Sequence, residues 1–220
     1  MDMIIRKMGY KSDKDISERV LNKLKESIGE LKNNIILKIN WDKFTFHLNE
    51  TEKKIEFNNN LSIQNKKVFD NLRGADEIVV AIGTMGNLLD EKSKEYIAKN
   101  DYLKVIIFDA ISEAVMDNIK RSFEFELGKK YNEKGMGKTH GFYPGSNGWN
   151  LEDQKIIFSL LDSDSLDVKL NENFIMIPTK SFSVVYGAGK KIITKAVGNK
   201  CMYCNLKSCR FRNKDTDENC

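Results

Sequence analysis

HGFYPGSNGWNLEDQK, residues 140–155, places three glycines, one of the chain's two prolines and one of its two tryptophans in its first ten positions, directly before a helical pattern. Glycines let backbone approach a ligand closely, Pro144 stiffens the turn, and Tyr143 and Trp149 offer walls for an apolar group. A glycine loop that opens a helix also presents unpaired N–H groups and a partial positive charge, which suits an anion. The same residues also read as a tight surface crossing whose tryptophan fills the core, and chemistry alone leaves both readings open.

Downstream, Asn150 with Asp153 predicts a cap for a helix carrying Ile156, Ile157, Leu160 and Leu161. Two apolar runs follow, NFIMI and SFSVVYG, separated by Pro178, Thr179 and Lys180, and they predict a closing pair of strands. Upstream, residues 132–148 are too rich in turn formers to predict regular structure. Before them, residues 101–131 form the longest helical pattern, with Leu103, Ile106, Ile107, Ala110, Ile111 and Ala114 in one apolar stripe. Asp117 projects within that stripe, so its carboxylate needs a partner. The intrahelical candidate is Arg121, one turn on, and the alternative is a cationic ligand held against this face.

Further upstream, EIVVAIGTMGNLLDEKSKEY (77–96) reads as a buried strand, a glycine turn and a helix start. Ala81 stands where a dinucleotide fingerprint needs its first glycine, and no second strand and helix follow at the required spacing. GAGKK (187–191) lacks the other residues of a P-loop. Residues 35–57 alternate as short antiparallel strands with His47 on the solvated side, and residues 12–33 predict an amphipathic helix with Asp15 and Glu18 as its capping box.

The chain's 220 residues suit one compact domain with appendages. The net charge of +4 is interleaved along the chain and forms no block, which argues against nucleic-acid binding. No window approaches the roughly 18 consecutive apolar residues that span a bilayer, and the first residues lack a signal-peptide run, so a cytoplasmic location away from membranes is expected.

The segments PGSNGWNLEDQKIIFSLL and LNENFIMIPTKSFSVVYG (170–187) resemble the activation domain of cobalamin-dependent methionine synthase and its free-standing relatives. The resemblance extends upstream through AIGTMG and DYLKVIIFDAISEAVMD, covering residues 75–190. It implies an α+β fold, a curved antiparallel sheet flanked by helices, that binds S-adenosylmethionine and presents its methyl group to an inactive corrinoid. It also implies that the helix acid Asp117 contacts the ligand, that the loop residues His140, Gly141, Tyr143, Pro144, Gly145 and Ser146 cradle it, and that Glu172 supports the site or faces a partner. Two positions depart from the pattern: Gly141 stands where the family has an arginine, and Ser146 where it has a tyrosine. The chain has no length for corrinoid, folate or homocysteine modules. The cobalamin is therefore expected on a partner methyltransferase chain, with a reductant protein as a further partner. No nucleophile or general acid–base pair is evident in the sequence.

All four cysteines, Cys201, Cys204, Cys209 and Cys220, lie in the last 20 residues. Their C-x-x-C-x-x-x-x-C spacing predicts a zinc or iron–sulfur site in a tail, residues 197–220, that follows a domain of residues 1–196. A metal-binding or electron-transfer accessory that has lost the ligand site, or a structural partner subunit, are the competing functions.

Overall fold

The computed structural model describes residues 1–32, 34–146 and 148–193. Its elements are α1 (Asp2–Lys7), α2 (Glu18–Leu31), β1 (Lys38–Phe44), β2 (Phe46–Asn49), β3 (Lys54–Phe57), β4 (Ser62–Ile63), α3 (Lys66–Leu72) and β5 (Glu77–Thr84). There follow α4 (Leu88–Ala98), α5 (Tyr102–Asn132), β6 (Gly137–Lys138), α6 (Gln154–Leu160), β7 (Lys169–Leu170), β8 (Met176–Ile177) and β9 (Ser181–Gly189).

The unbroken apolar run of β5 forces it to the centre, because a strand without a polar face must be covered on both sides. It is hydrogen-bonded to β1 and β9 in a four-stranded sheet of order β1-β5-β9-β6, antiparallel throughout. Val79 and Ala81 enter one core with Phe182, Val184 and Tyr186 of β9, beneath α1, α2, α4 and α5. Ile78, Val80 and Ile82 enter a second core with Val185, covered by α3, α6 and the small sheet β2-β3-β4. The α+β class, an antiparallel sheet flanked by helices, is as expected.

Several local expectations change. The two closing apolar runs do not pair with each other: β8 pairs with β7, while β9 runs between β5 and β6. The link between them is tied elsewhere, since Thr179 N donates to Asp90 Oδ2 at 2.8 Å. The turn-rich segment before the loop supplies an edge of the sheet: β6 and the Phe142–Val185 bridge both pair with β9. Ahead of α2, Asp15 Oδ2 accepts from Ser12 N (3.0 Å) and Ser12 Oγ (3.1 Å), capping a separate turn, and the helix starts three residues later. Ile106 lies outside the buried stripe of α5, at 55 % exposure. His47 is exposed on β2, as expected.

Both glycine runs pack backbone against neighbours. A Cβ on Gly83 would lie 2.4 Å from Cε1 of Phe182, its cross-strand partner, and one on Gly189 would lie 2.6 Å from Gly74 O. Together with the antiparallel neighbours of β5, this removes the dinucleotide reading. Gly83→Ala is expected to lower stability by about 1–3 kcal/mol through overpacking, seen as a lower denaturation midpoint at unchanged slope.

Candidate functional site

Helix α5 starts where the side chain of Asp101 accepts from Lys104 N (3.2 Å) and carries Asp109, Glu113 and Asp117 at four-residue spacing, hence along one face. Lysines from two other elements meet this row. Lys180, which precedes β9, lies 2.7 Å from Asp109 and 3.1 Å from Glu113. Lys7, the last residue of α1, lies 2.8 Å from Asp117 and 3.9 Å from Glu113. The Asp117 side chain is 24 % exposed, so the carboxylate that the stripe position required to have a partner has one in Lys7.

One turn further along α5, Lys120 Nζ lies 5.5 Å from the ring centroids of both Tyr143 and Phe182. Glu124 pairs with the buried Lys138 at 3.1 Å, and that ammonium also lies 5.0 Å from the Tyr186 ring centroid. The Tyr186 hydroxyl is buried without a hydrogen bond of ordinary geometry, although the Tyr143 hydroxyl is close enough for the two to influence each other's ionisation. Burial, with Glu124 and Asp117 adding to it, holds Tyr143 well above the ordinary tyrosine range. Tyr186 is raised by burial and by Tyr143 and Glu124, and Tyr131 by burial and its hydrogen bond to Glu77. Burial lowers Lys138, against the opposing effect of Glu124.

Tyrosines whose folded pKa is raised contribute stability that is complete below their unfolded pKa of about 10 and is lost as pH rises beyond it. Lys138 acts in the opposite sense, but its gain is complete by the ordinary lysine pKa. Stability is therefore expected to fall above about pH 10, with the phenolate absorbance of the buried tyrosines appearing together with loss of circular dichroism, after exposed ones such as Tyr102 have titrated. Titration of every tyrosine in a protein that keeps its circular dichroism would contradict this.

The loop brings some of the expected residues to this face and turns others away. Gly141 and Tyr143 lie on the α5 side of the sheet: a Cβ on Gly141 would be 2.8 Å from Val184 Cγ2, 2.9 Å from Tyr186 Cε1 and 3.2 Å from Tyr143 Cε2. His140 stacks on Phe142 at 4.4 Å, and Phe142 belongs to the second core. In the turn itself Gly145 N donates to Trp149 O (2.9 Å), Ser146 N to Tyr143 O (3.1 Å) and Ser146 Oγ to the same carbonyl (2.8 Å). Two of the N–H groups expected to meet an anion are thus used within the loop. Gly145, at φ +82°, closes on Leu151, and Pro144 precedes it at the surface.

The helix start differs as well. Asn150 makes no side-chain cap, a 3-10 turn with Glu152 and Asp153 comes first, and Asp153 accepts from the Trp149 indole at 2.8 Å. Trp149 is 4 % exposed and fills the second core, so for this residue the core reading holds. The cleft between the loop and α3, lined by Asn65, Val68, Tyr143, Ser146 and Trp149, has about 10 Å³ free, too little for a nucleoside. Glu172 is exposed in the turn from β7 to β8, where Gln154 Nε2 donates to Phe174 O. The four cysteines lie outside the described residues. Among the described residues, no group of three or more His, Cys, Asp or Glu side chains is placed to hold a metal, and no helix is long and apolar enough to cross a membrane.

Sequence reading missed Lys7, Lys180, Glu113, Lys138 and Tyr186. Only Glu113 carried a usable signal, its place one turn before Asp117.

Helix layers on both faces of this antiparallel sheet, with a long helix carrying a carboxylate row beside the Tyr143 loop, define a recognisable class of fold. Thirteen chains among solved structures match it. One, described as the crystal structure of the MetH reactivation domain bound to AdoHcy, aligns at a TM-score of 0.62 with 15 % identity, covering 83 % of this chain and 68 % of that one. The fold is thus that of a methionine synthase reactivation domain, as the sequence resemblance implied. No protein-family model matches the sequence, and no curated protein does.

Proposed function

We propose that this chain is an S-adenosylmethionine-binding module for the reductive reactivation of a cobalamin-dependent methionine synthase or related corrinoid methyltransferase, acting on a partner chain. The observation that carries the reading is the part-buried Asp117 carboxylate beside Tyr143, on the fold of a domain solved with AdoHcy. Asp117 is the counter-charge for the ligand's ammonium and sulfonium, favoured because a poorly solvated carboxylate is stabilised by a cation. The Tyr143 ring walls the ligand, and the Pro144–Ser146 turn borders it. Gly141 brings no cation, and Gly145 and Ser146 use their N–H groups internally, so Lys120 over the Tyr143 ring is the group assigned to the ligand's carboxylate. His140 supports the loop through its stacking on Phe142, and Glu172 faces the partner.

The ligand supplies a methyl group on a sulfonium, and the chain's residues orient it and protect it from water. Partner chains supply the corrinoid and one electron, so that cob(II)alamin and S-adenosylmethionine become methylcobalamin and S-adenosylhomocysteine. In this reading the protein works in the cytoplasm, and residues 197–220 form a tail distinct from the domain of residues 1–196. Cys201, Cys204, Cys209 and Cys220 there hold zinc or an iron–sulfur cluster, which metal analysis of anaerobically purified protein tests. The test of function is an anaerobic mixture of a corrinoid methyltransferase in its cob(II)alamin state, a low-potential reductant and S-adenosylmethionine. Methylcobalamin is expected to appear at a rate set by the amount of this chain, and an equal rate without it contradicts the proposal.

A further inference from the structure

We propose that Lys7 is a resident counter-ion that a cationic ligand must displace from Asp117, and that it thereby sets the site's preference between S-adenosylmethionine and its uncharged-sulfur product; the inference rests on the ligand reading above.

Helix α1 is only six residues long, yet it is anchored: Ile5 is 1 % exposed, and Ile4 and Met8 pack against the core beneath α5. That anchoring fixes the Lys7 backbone beside α5 and leaves a flexible four-carbon stem to carry the charge. Its ammonium, on a side chain 23 % exposed, lies 2.8 Å from Asp117 and 3.9 Å from Glu113, against the carboxylate that a ligand ammonium would pair with. A second cation at the same carboxylate meets the repulsion of the first. A ligand ammonium that reaches Asp117 must therefore displace the Lys7 ammonium or bind against its charge.

The local charge balance gives the exchange a consequence for selectivity. Asp109, Glu113 and Asp117 face Lys7 and Lys180, with Lys120 one turn further along the helix, so removing Lys7 makes the site more negative by one charge. S-adenosylmethionine and S-adenosylhomocysteine both carry the ammonium and the carboxylate, but only the first carries a sulfonium. A positive charge near the site therefore weakens the first ligand more than the second. Lys7 lowers affinity for both and narrows the difference between them.

The test is calorimetric titration of both ligands into wild-type protein and into Lys7→Met, Lys7→Gln and Lys7→Arg, with a thermal melt of each variant without ligand. The Met and Gln variants are expected to bind S-adenosylmethionine about fivefold more tightly, the scale of one part-exposed ion pair, and to gain less for S-adenosylhomocysteine. Lys7→Arg is expected to behave as wild type. Loss of a merely structural contact would lower the melting temperature and leave the ratio of the two affinities unchanged. Binding by wild type with equal or weaker binding by both neutral variants overturns this inference alone. Absence of binding in all four proteins overturns the ligand reading, and the inference with it.

Discussion

Asp117→Asn is expected to weaken S-adenosylmethionine binding by roughly fivefold or more while leaving the protein folded. The substitution keeps the shape of the side chain and removes its charge. At about 4 Å and an effective dielectric near 20, a pair of unit charges interacts by about 4 kcal/mol, discounting for the solvent that still reaches this site leaves about 2 kcal/mol, and displacing Lys7 takes back up to about 1 kcal/mol. On the folding side the change removes the Lys7 ion pair, whose two side chains are 23 % and 24 % exposed, and pairs of that kind contribute up to about 1 kcal/mol. Calorimetric affinity should therefore fall while the protein still melts cooperatively. A variant that binds as tightly as wild type would remove Asp117 from the site.

Gly141→Arg would introduce the side chain that the activation domains this sequence resembles carry at this position, and it is expected to destabilise the protein without improving binding. Even the first carbon of a side chain would meet Val184 and Tyr186, both fully buried, at 2.8 and 2.9 Å. Overpacking of this kind costs about 1–3 kcal/mol, and a guanidinium forced against the same core adds the penalty for burying a charge. Gly141→Ala should shift the melting temperature in the same direction by less. An arginine variant that melts as wild type and binds more tightly would show that the loop backbone adjusts and would contradict this.

The parts of the fold legible in the sequence were those with a dense local signal. The buried run of β5 and the long periodicity of α5 each identify themselves within one window, and the turn between β5 and α4 follows from them. Partner choice was not legible, because it is settled by contacts far apart in the chain. Nothing local in SFSVVYG says that it pairs with β5 and β6 and not with the preceding NFIMI run. The glycines of residues 132–148 concealed the sheet edge, since backbone pairing to β9 does not depend on side-chain pattern. The site was legible by halves. Helical spacing showed that Asp117 needed a partner, but Lys7 sits on a six-residue helix too short to announce itself and reaches Asp117 only through tertiary packing. The anion-friendly reading of residues 140–155 missed that the loop's own carbonyls accept from Gly145 and Ser146, and that Asp153 accepts from the indole of Trp149.

The central claim is that this fold still binds S-adenosylmethionine on the Asp117 and Tyr143 face. Calorimetric titration of the ligand into the full chain tests it most directly. The account predicts saturable heat with one ligand per chain, displaced competitively by S-adenosylhomocysteine. No heat at millimolar ligand from a protein that melts cooperatively would contradict it.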